Sequence, residues 1–334
     1  MQDKLDLFWH KKTWKKFSSA SARDHLPHAM LLTGAKGVGK KIFADKMIKS
    51  LLCLKPDPTN RQPCGQCQGC RTYRSGANPD FMRIQLLEGK QQIGVDQIRE
   101  LSHFLTFSRS FDAYRVILIN PVEKMNQNAA NSLLKSLEEP SDNTVIILIA
   151  THLSTIIPTI VSRSQLLSIP LPARGEAIGW IKAQGSKVDN VEELLEMSAG
   201  SPLLALNIDE KSLADKGDFA KDILNIFREN NSVTEIAKKW EKYDQSVLLD
   251  WQIIWVQSLL KSVAIASTNS GNQKTKNITR IQKHLDIFKE SFPKSLLWQL
   301  YFQLLNRKQI VHTSVNPLIN LESMLLLWSQ ASHI

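Results

Sequence analysis

The stretch "HAMLLTGAKGVGKKIFADKMIKSLL", residues 28–52, decides the fold of the first half of the chain. It begins with a short apolar run, typical of a buried strand that enters a phosphate-binding loop. Gly34, Gly39 and Lys40 occupy the fixed positions of the P-loop pattern G-x-x-x-x-G-K-[ST], and Gly37 lies inside the loop. Apolar residues then recur at helical spacing. The sequence therefore predicts a strand, a nucleotide-binding loop and a helix in succession.

The loop departs from the pattern at its last position, where Lys41 replaces the Ser or Thr whose hydroxyl binds Mg²⁺. The strand that should supply acidic residues for the metal and the attacking water ends instead in Asn120 and Pro121. Glu123 lies two residues beyond the position expected for the water-orienting carboxylate. We therefore expect no ATP hydrolysis at this site. Two alternatives stay open: the loop binds ATP or ADP without turnover, or it keeps only the shape of a nucleotide site.

Further apolar runs alternate with helical patterns through the first 172 residues. Strands are predicted at 79–85, 114–120 and 144–150, and helices at 94–107 and 126–139; a last apolar run, 165–172, closes the domain. Strands that alternate with helices indicate a doubly wound α/β domain with a parallel sheet and right-handed crossovers. Pro170 and Pro172 mark the end of this domain.

Strand patterns disappear beyond residue 172. Three short helical patterns, at 174–185, 191–200 and 201–208, predict a small helical lid domain. The remainder reads as helical to its end, and its last helix begins near Asn316 with an apolar stripe at Leu318, Leu321, Leu325 and Trp328. The predicted domains are 1–171, 172–208 and 209–334.

All four cysteines lie between positions 53 and 70, as Cys53, Cys64, Cys67 and Cys70. Two-residue spacing lets a tight turn present two thiolates to one tetrahedral metal, and four sulfur ligands suit a closed structural Zn²⁺ site. Disulfides and an iron–sulfur cluster are the alternatives. A reducing compartment disfavours disulfides, whereas spacing alone does not separate iron from zinc. We predict a zinc module inserted into the α/β domain.

Composition places the chain among ordinary globular proteins, with 334 residues, 43% hydrophobic and 22% charged. No apolar run approaches the roughly 20 residues that a membrane-spanning helix needs. The N-terminal residues lack the apolar core and cleavage site of a secretory signal. We therefore expect a cytoplasmic protein without a membrane partner.

The formal net charge of +10 suits a nucleic-acid partner without requiring one. Basic residues are spread along the chain, apart from a cluster at Lys11, Lys12, Lys15 and Lys16. We interpret this cluster as the solvated face of a helix whose other face contains Trp14 and Phe17.

Several motifs appear in a fixed order: "LPHAMLLTGAKGVGK", the cysteine module, "NPDF", "GVDQIREL", "AANSLLKSLEEP" and "VSRS". Together they resemble the delta-prime subunits of bacterial DNA polymerase III clamp loaders, most specifically over residues 1–205. The resemblance implies an AAA+ type P-loop domain, a small helical lid domain and a helical collar domain. It also implies a five-subunit ring with delta and the ATP-hydrolysing gamma or tau subunits, and a degraded ATP site in this chain.

The resemblance assigns a role to Arg163. "SRS", Ser162 to Ser164, is similar to the family's Ser-Arg-Cys motif, whose arginine reaches the ATP site of the next subunit. Such an arginine finger stabilises charge on the phosphates in the transition state. A surface salt bridge is the alternative role for Arg163. Leu203 lies where active loaders have an arginine that reaches their own nucleotide.

We therefore expect a non-hydrolysing delta-prime subunit that supports ATP-driven loading of the sliding clamp onto primer-template DNA. It would have no independent enzymatic activity and would form part of the DNA-directed DNA polymerase III holoenzyme. One alternative is an active, gamma- or tau-like ATPase, for which turnover by the isolated chain would decide. The other is a zinc-containing DNA-binding protein with a vestigial ATPase fold, which predicts tight, salt-sensitive DNA binding.

Overall fold

The computed structural model describes residues 7–23, 25–151, 153–185, 190–228, 230–266, 294–307 and 316–330. The chain forms two compact units, Met1–Pro172 and Ala173–Ile334. The predicted further boundary near residue 208 falls inside the second unit and stays a prediction.

The first unit is built on one five-stranded parallel sheet. Its strands are β1 (Ala29–Thr33), β2 (Phe81–Ile84), β3 (Arg115–Ile119), β4 (Thr144–Ile149) and β5 (Gln165–Ser168). Their order across the sheet is β2-β3-β4-β1-β5. The register pairs Leu31 with Leu148 on one side and with Leu166 on the other. The predicted doubly wound α/β fold is confirmed.

Six helices of the first unit connect and cover these strands: α1 (Lys11–Ala22), α2 (Lys40–Leu51), α3 (Gln68–Arg74), α4 (Val95–Thr106), α5 (Gln127–Glu138) and α6 (Pro158–Ser162). Short 3₁₀ helices occur at Phe8–His10, Val122–Lys124 and Leu153–Thr155. The cap of α5 explains its start, because the side chain of Asn126 accepts a hydrogen bond of 2.8 Å from the amide of Ala129. The helix ends just before Pro140, which cannot continue it.

The central strands β1, β3 and β4 are buried along their whole length. Leu31, Ile117 and Leu148 lie in one core with residues of α4 and α5. Because side chains alternate across a strand, the intervening residues point to the opposite face, where α2 packs against the same three strands. Burial on both faces explains why these strands read as continuous apolar runs in the sequence.

The second unit is helical throughout its described residues. Its helices are α7 (Arg174–Ala183), α8 (Val191–Met197), α9 (Pro202–Leu206), α10 (Glu210–Phe227), α11 (Val233–Trp240), α12 (Gln245–Ala266), α13 (Lys294–Arg307) and α14 (Pro317–Gln330). Parts of the predicted helical region, 267–293 and 308–315, lie outside the described residues.

Aromatic side chains form much of the core of this second unit, including Phe219, Trp251 and Trp255. The predicted stripe of the last helix is buried at Leu321, Leu325 and Trp328, while Leu318 packs against it partly exposed. The indole of Trp328 donates a hydrogen bond of 2.7 Å to the side chain of the fully buried Gln252. Among the helices that the structure describes, none combines the length and apolarity needed to span a bilayer.

Candidate functional site

The predicted P-loop joins β1 to α2, and the backbone explains its glycines. Gly34, Gly37 and Gly39 all have positive φ, of 141°, 82° and 88°. At Gly39 a Cβ atom would also lie 2.6 Å from Cδ1 of Leu7. Only glycine meets both conditions, because other residues rarely adopt this conformation and the space is occupied. The structure therefore contains the strand–loop–helix geometry of a nucleotide site.

The P-loop lysine is directed back onto its own loop. The ammonium of Lys40 donates hydrogen bonds to the carbonyl oxygens of Gly34, at 2.6 Å, and Ala35, at 3.0 Å. Its side chain is only 8% exposed. Burial lowers the pKa of Lys40 below its ordinary value, and the nearby charge of Glu123 partly opposes this shift. The group that would bind phosphates is thus engaged by backbone carbonyls.

The segment that precedes α1 lies against the loop, a feature that our reading of the sequence missed. The indole of Trp9 donates a hydrogen bond of 2.9 Å to the carbonyl of Val38. Nε2 of His10 lies 2.8 Å from the same oxygen, a contact that requires the tautomer protonated at Nε2. Together with Leu7, these side chains are buried against the loop. The aromatic pair Trp9–His10 in the sequence is the signal that could have indicated this contact.

The positions that bind magnesium and orient water in active P-loop enzymes carry side chains of other types here. Lys41 is exposed, and with Asn120 it lines an open cleft of about 1050 Å³ beside α3. Glu123 accepts a hydrogen bond of 3.0 Å from the amide of Thr151. The second carboxylate oxygen of Glu123 is buried without a hydrogen-bond partner among the described residues. The carboxylate therefore contributes to the charge around Lys40 and is held by the end of β4.

The four cysteines converge on one point, as their spacing predicts. All four sulfur atoms lie within 4.8 Å of one another. Cys53 is 3.6 Å from Cys64 and 3.8 Å from Cys67, and Cys64 is 4.0 Å from Cys70. A disulfide would bring two sulfur atoms to about 2.05 Å, and all four cysteines are free. The arrangement is that of a structural metal site, and the disulfide alternative is wrong.

Local backbone groups favour the thiolate forms of Cys64 and Cys67. Amides of Gln66 and Cys67 lower the pKa of Cys64 to about 6, which favours the thiolate that metals require. The amide of Leu54 donates to the sulfur of Cys67 at 3.4 Å. Gly69 allows α3 to approach α2, since a Cβ atom there would lie 2.1 Å from the carbonyl oxygen of Leu52. The module is therefore packed against the end of the P-loop helix.

Arg163 lies at the end of α6, and its guanidinium contacts α5 and α6. It forms an ion pair of 2.7 Å with Glu138 and donates a hydrogen bond of 3.2 Å to the carbonyl of Thr159. Its side chain is 37% exposed. The described contacts of Arg163 thus involve no residue of the P-loop.

The family model and the relatives that this chain matches agree on one family. Residues 9–172 match the family described as "DNA polymerase III, delta subunit". A delta-prime subunit of DNA polymerase III from Pseudomonas aeruginosa is 28% identical over 326 residues, which are 96% of each chain. Its counterpart from Haemophilus influenzae is 30% identical over 237 residues, 70% of this chain and 71% of that protein. The tau subunit of Bacillus subtilis is 27% identical over 222 residues, 65% of this chain and 38% of that protein.

These matches agree with the geometry described above, in which a domain built on a parallel sheet contains an altered P-loop and an inserted cysteine module. The full-length similarity to delta-prime subunits covers both units of the chain. This chain therefore belongs to the delta-prime subunits of the DNA polymerase III clamp loader.

Proposed function

We propose that this delta-prime subunit hydrolyses no ATP itself and promotes hydrolysis at the site of a neighbouring gamma or tau subunit through Arg163. In this role it supports loading of the sliding clamp onto primer-template DNA, as part of a five-subunit ring with delta in the cytoplasm. The observation that carries the first half of the proposal is the engagement of Lys40 by the carbonyls of Gly34 and Ala35.

The state of the P-loop argues against turnover at this site. To bind phosphate, the buried side chain of Lys40 would have to break its two hydrogen bonds to the loop and change its position. Magnesium would find the ammonium of Lys41 in place of a hydroxyl, and Asn120 in place of a carboxylate. Leu7 and His10 also fill the space beside Gly39. ATP or ADP binding by this chain is therefore weak or absent in our proposal.

The contacts of Arg163 suit a residue that acts on another subunit. Its ion pair with Glu138 is partly exposed, with 37% and 50% of the two side chains accessible. An exposed pair of this kind contributes about 0–1 kcal/mol. A phosphate on a neighbouring chain offers the guanidinium stronger, charge-assisted hydrogen bonds. Exchange of Glu138 for a phosphate therefore requires little free energy, and α6 keeps the arginine at the surface.

The cysteine module holds one zinc ion in our proposal. A tetrahedron with zinc–sulfur bonds of about 2.3 Å has edges of about 3.8 Å. Three of the six sulfur–sulfur separations, 3.6, 3.8 and 4.0 Å, lie close to that edge length, and all six are within 4.8 Å. Four thiolates leave no open position, so the ion stabilises the fold of the module and takes no part in a reaction.

Assembly of the ring is assigned to the C-terminal helices. On α13 the aromatic side chains of Trp298 and Phe302 are 50% and 57% exposed and stack on each other at 6.0 Å. Exposed aromatic pairs of this kind are typical of surfaces that another protein covers. We assign this pair to the collar contact with the neighbouring subunits.

The test of this function measures steady-state ATP hydrolysis by the isolated chain and by a ring reconstituted with gamma or tau and delta. Arg163→Ala is compared with Arg174→Ala, a matched control that also removes an exposed, ion-paired arginine. We expect an inactive isolated chain. In the ring we expect Arg163→Ala to reduce turnover by at least about tenfold, since arginine fingers contribute more than that in other enzymes.

Ring assembly is checked for both variants by size-exclusion chromatography. Normal assembly with reduced turnover for Arg163→Ala alone supports catalysis in trans. Equal turnover for the two variants would leave Arg163 as a surface salt bridge. Magnesium-dependent turnover by the isolated chain would instead favour the gamma- or tau-like alternative.

A further inference from the structure

The net charge of the chain is concentrated in one part of the sequence. Residues 1–78 contain 15 lysines and arginines against five aspartates and no glutamate, a net charge of +10. Residues 79–172 contain eight basic and nine acidic residues, and residues 173–334 contain 19 and 18. The individual basic residues are spread along the chain, but the excess of positive charge lies in the segment that forms α1, the P-loop, α2 and the cysteine module.

A groove in the first unit collects part of this charge. Its walls are α1, α2 and the loop that precedes the second cysteine, and it encloses about 400 Å³. Lys11 and Lys15 of α1 line it one helical turn apart, and Lys46 of α2 lines the opposite wall. Among the described residues, those that line the groove include no aspartate or glutamate. The groove is therefore a concave surface of one charge sign, which focuses the electrostatic potential on an anion.

Contacts of two α1 side chains, Trp14 and Thr13, hold the groove in shape. The indole of Trp14 donates a bond of 3.0 Å to the carbonyl of Asn60, which joins α1 to the cysteine module. The ammonium of Lys46 lies 4.3 Å from the centroid of the same indole. On the other side of α1, Thr13 donates to the carbonyl of Ser168 at 3.0 Å. The lysines thus extend from a preorganised surface, so binding requires ordering of their side chains but not of the backbone.

The shape and extent of the charge favour a long anion over a small one. Lys12 and Lys16 continue the basic surface along the exposed face of α1, outside the groove. Gln62 adds a neutral hydrogen-bond donor to its lining. A phosphodiester backbone presents regularly spaced charges that such a row of lysines can follow. We propose that this basic groove binds the sugar–phosphate backbone of DNA directly, independent of base sequence.

The proposal goes beyond the function of Arg163 and is tested on the isolated full-length chain, so the two can fail separately. Binding of a fluorescently labelled DNA duplex and of the corresponding single strand is measured by anisotropy at several salt concentrations. The double variant Lys11→Gln/Lys15→Gln is compared with Lys182→Gln/Lys238→Gln, which removes two exposed lysines of the second unit. Melting temperatures confirm that both variants fold.

We expect the groove variant to bind DNA about tenfold more weakly than the control variant. The slope of log Kd against log salt should fall by about 2, because each of the two substituted lysines would otherwise neutralise one phosphate. Equal affinities and slopes for the two variants would overturn the proposal. Poly-glutamate at the same charge concentration is the competitor. If it displaces the DNA from the wild-type chain as effectively as unlabelled DNA does, the groove recognises acidic protein segments and the proposal is wrong.

Discussion

Two adjacent lysines at the start of α2 show how position decides the role of one residue type. Lys40 is buried and donates to two loop carbonyls, whereas Lys41 is exposed beside an open cleft. The sequence pattern assigns phosphate binding to the first and magnesium binding to the position of the second. In the structure the first stabilises the loop, and the second has the wrong charge for a metal ligand.

Replacement of Lys40 tests this stabilising role. Lys40→Met keeps the aliphatic stem and leaves the carbonyls of Gly34 and Ala35 without their donor. We expect the free energy of unfolding to fall by about 1–3 kcal/mol, measured by chemical denaturation. Lys41→Met is the matched control and should change it by no more than about 0.5 kcal/mol, as for other surface substitutions. A rise in melting temperature on addition of ATP, absent in Lys40→Met, would show that the loop still binds nucleotide.

A buried lysine, Lys216, makes the stability of the second unit depend on pH. Burial lowers the pKa of Lys216 to about 8 from an ordinary value of 10.5, and Asp250 partly opposes the shift. Its ammonium donates to the carbonyl of Met197 at 2.9 Å. Below pH 8 the group is charged in both states, so the full cost of its burial is present. Between pH 8 and 10.5 the unfolded chain binds more protons than the folded chain, so stability rises with pH.

Denaturation of Lys216→Met measures this contribution. From pH 7 to pH 10 the wild-type chain should gain stability relative to the variant. Lys221→Met changes an exposed lysine of the same helix and should follow the wild type at every pH. A constant difference between wild type and Lys216→Met would show that Lys216 keeps an ordinary pKa.

The cysteine module and α13 show what single elements contribute. The module is too small to have a core of its own, so the sulfur cluster and the contact of Gly69 with Leu52 hold it against α2. Helix α13 instead buries one side in the helical core, at Leu297, Leu300 and Leu304, and leaves aromatic side chains on the other. In our proposal one element depends on a bound ion and the other on a partner.

Metal analysis tests the first of these elements. We expect one equivalent of zinc per purified chain by atomic emission. Cys64→Ser should lose most of the metal and expose the module to protease, because metal binding and local folding are coupled. Gln66→Ser changes a non-ligand in the same loop and should keep its zinc. Iron in place of zinc would support the other metal that the spacing allows.

Assembly tests the second element. Trp298→Ser/Phe302→Ser should weaken association with gamma or tau and delta by about tenfold or more, since exposed aromatic residues dominate many protein interfaces. Gln299→Ser/Gln303→Ser changes exposed neighbours on the same helix and should assemble normally. Native mass spectrometry of reconstituted rings gives the comparison. Equal assembly of both variants would place the collar contact on another surface.

At the scale of the whole molecule, charge and packing divide the chain differently. The excess of positive charge lies in residues 1–78, whereas the boundary of the compact units in the sequence lies between Pro172 and Ala173. Within the second unit, Met197 of α8 lies in the same core as Phe219 and Trp251. Helix α8, one of the three short helices predicted as a lid, thus contacts the helices that follow it.

This connection predicts that the whole second unit opens cooperatively. Hydrogen exchange under native conditions should give similar free energies of opening for amides of α8 and α10, because Met197 and Lys216 join the two helices. Helix α4 of the first unit provides an independent reference. Markedly earlier opening of α7, α8 and α9 would instead support the predicted domain boundary near residue 208.

The secondary-structure elements, the cysteine cluster and the family could be predicted from the sequence, because each depends on residues that are close together in the chain. Apolar runs predicted β1, β2, β3 and β4, and the last apolar run contains β5. The runs at β1, β3 and β4 are continuous because both faces of these central strands are buried in the parallel sheet. The cysteine spacing predicted a cluster, since short loops limit how far thiolates can separate. The motifs identified the family before any comparison of the whole chain. The sequence also showed that Lys41 replaces the Ser or Thr of the P-loop pattern.

Contacts between residues distant in sequence were decided only by the tertiary structure. The sequence did not reveal that Trp9 and His10 would lie on Val38, or that Arg163 would pair with Glu138. Nor did it reveal that α1, α2 and the cysteine module would enclose a basic groove. Such contacts depend on how the chain returns on itself, and no local periodicity encodes them. The sequence alone thus specified the elements and the family, and folding decided which side chains meet.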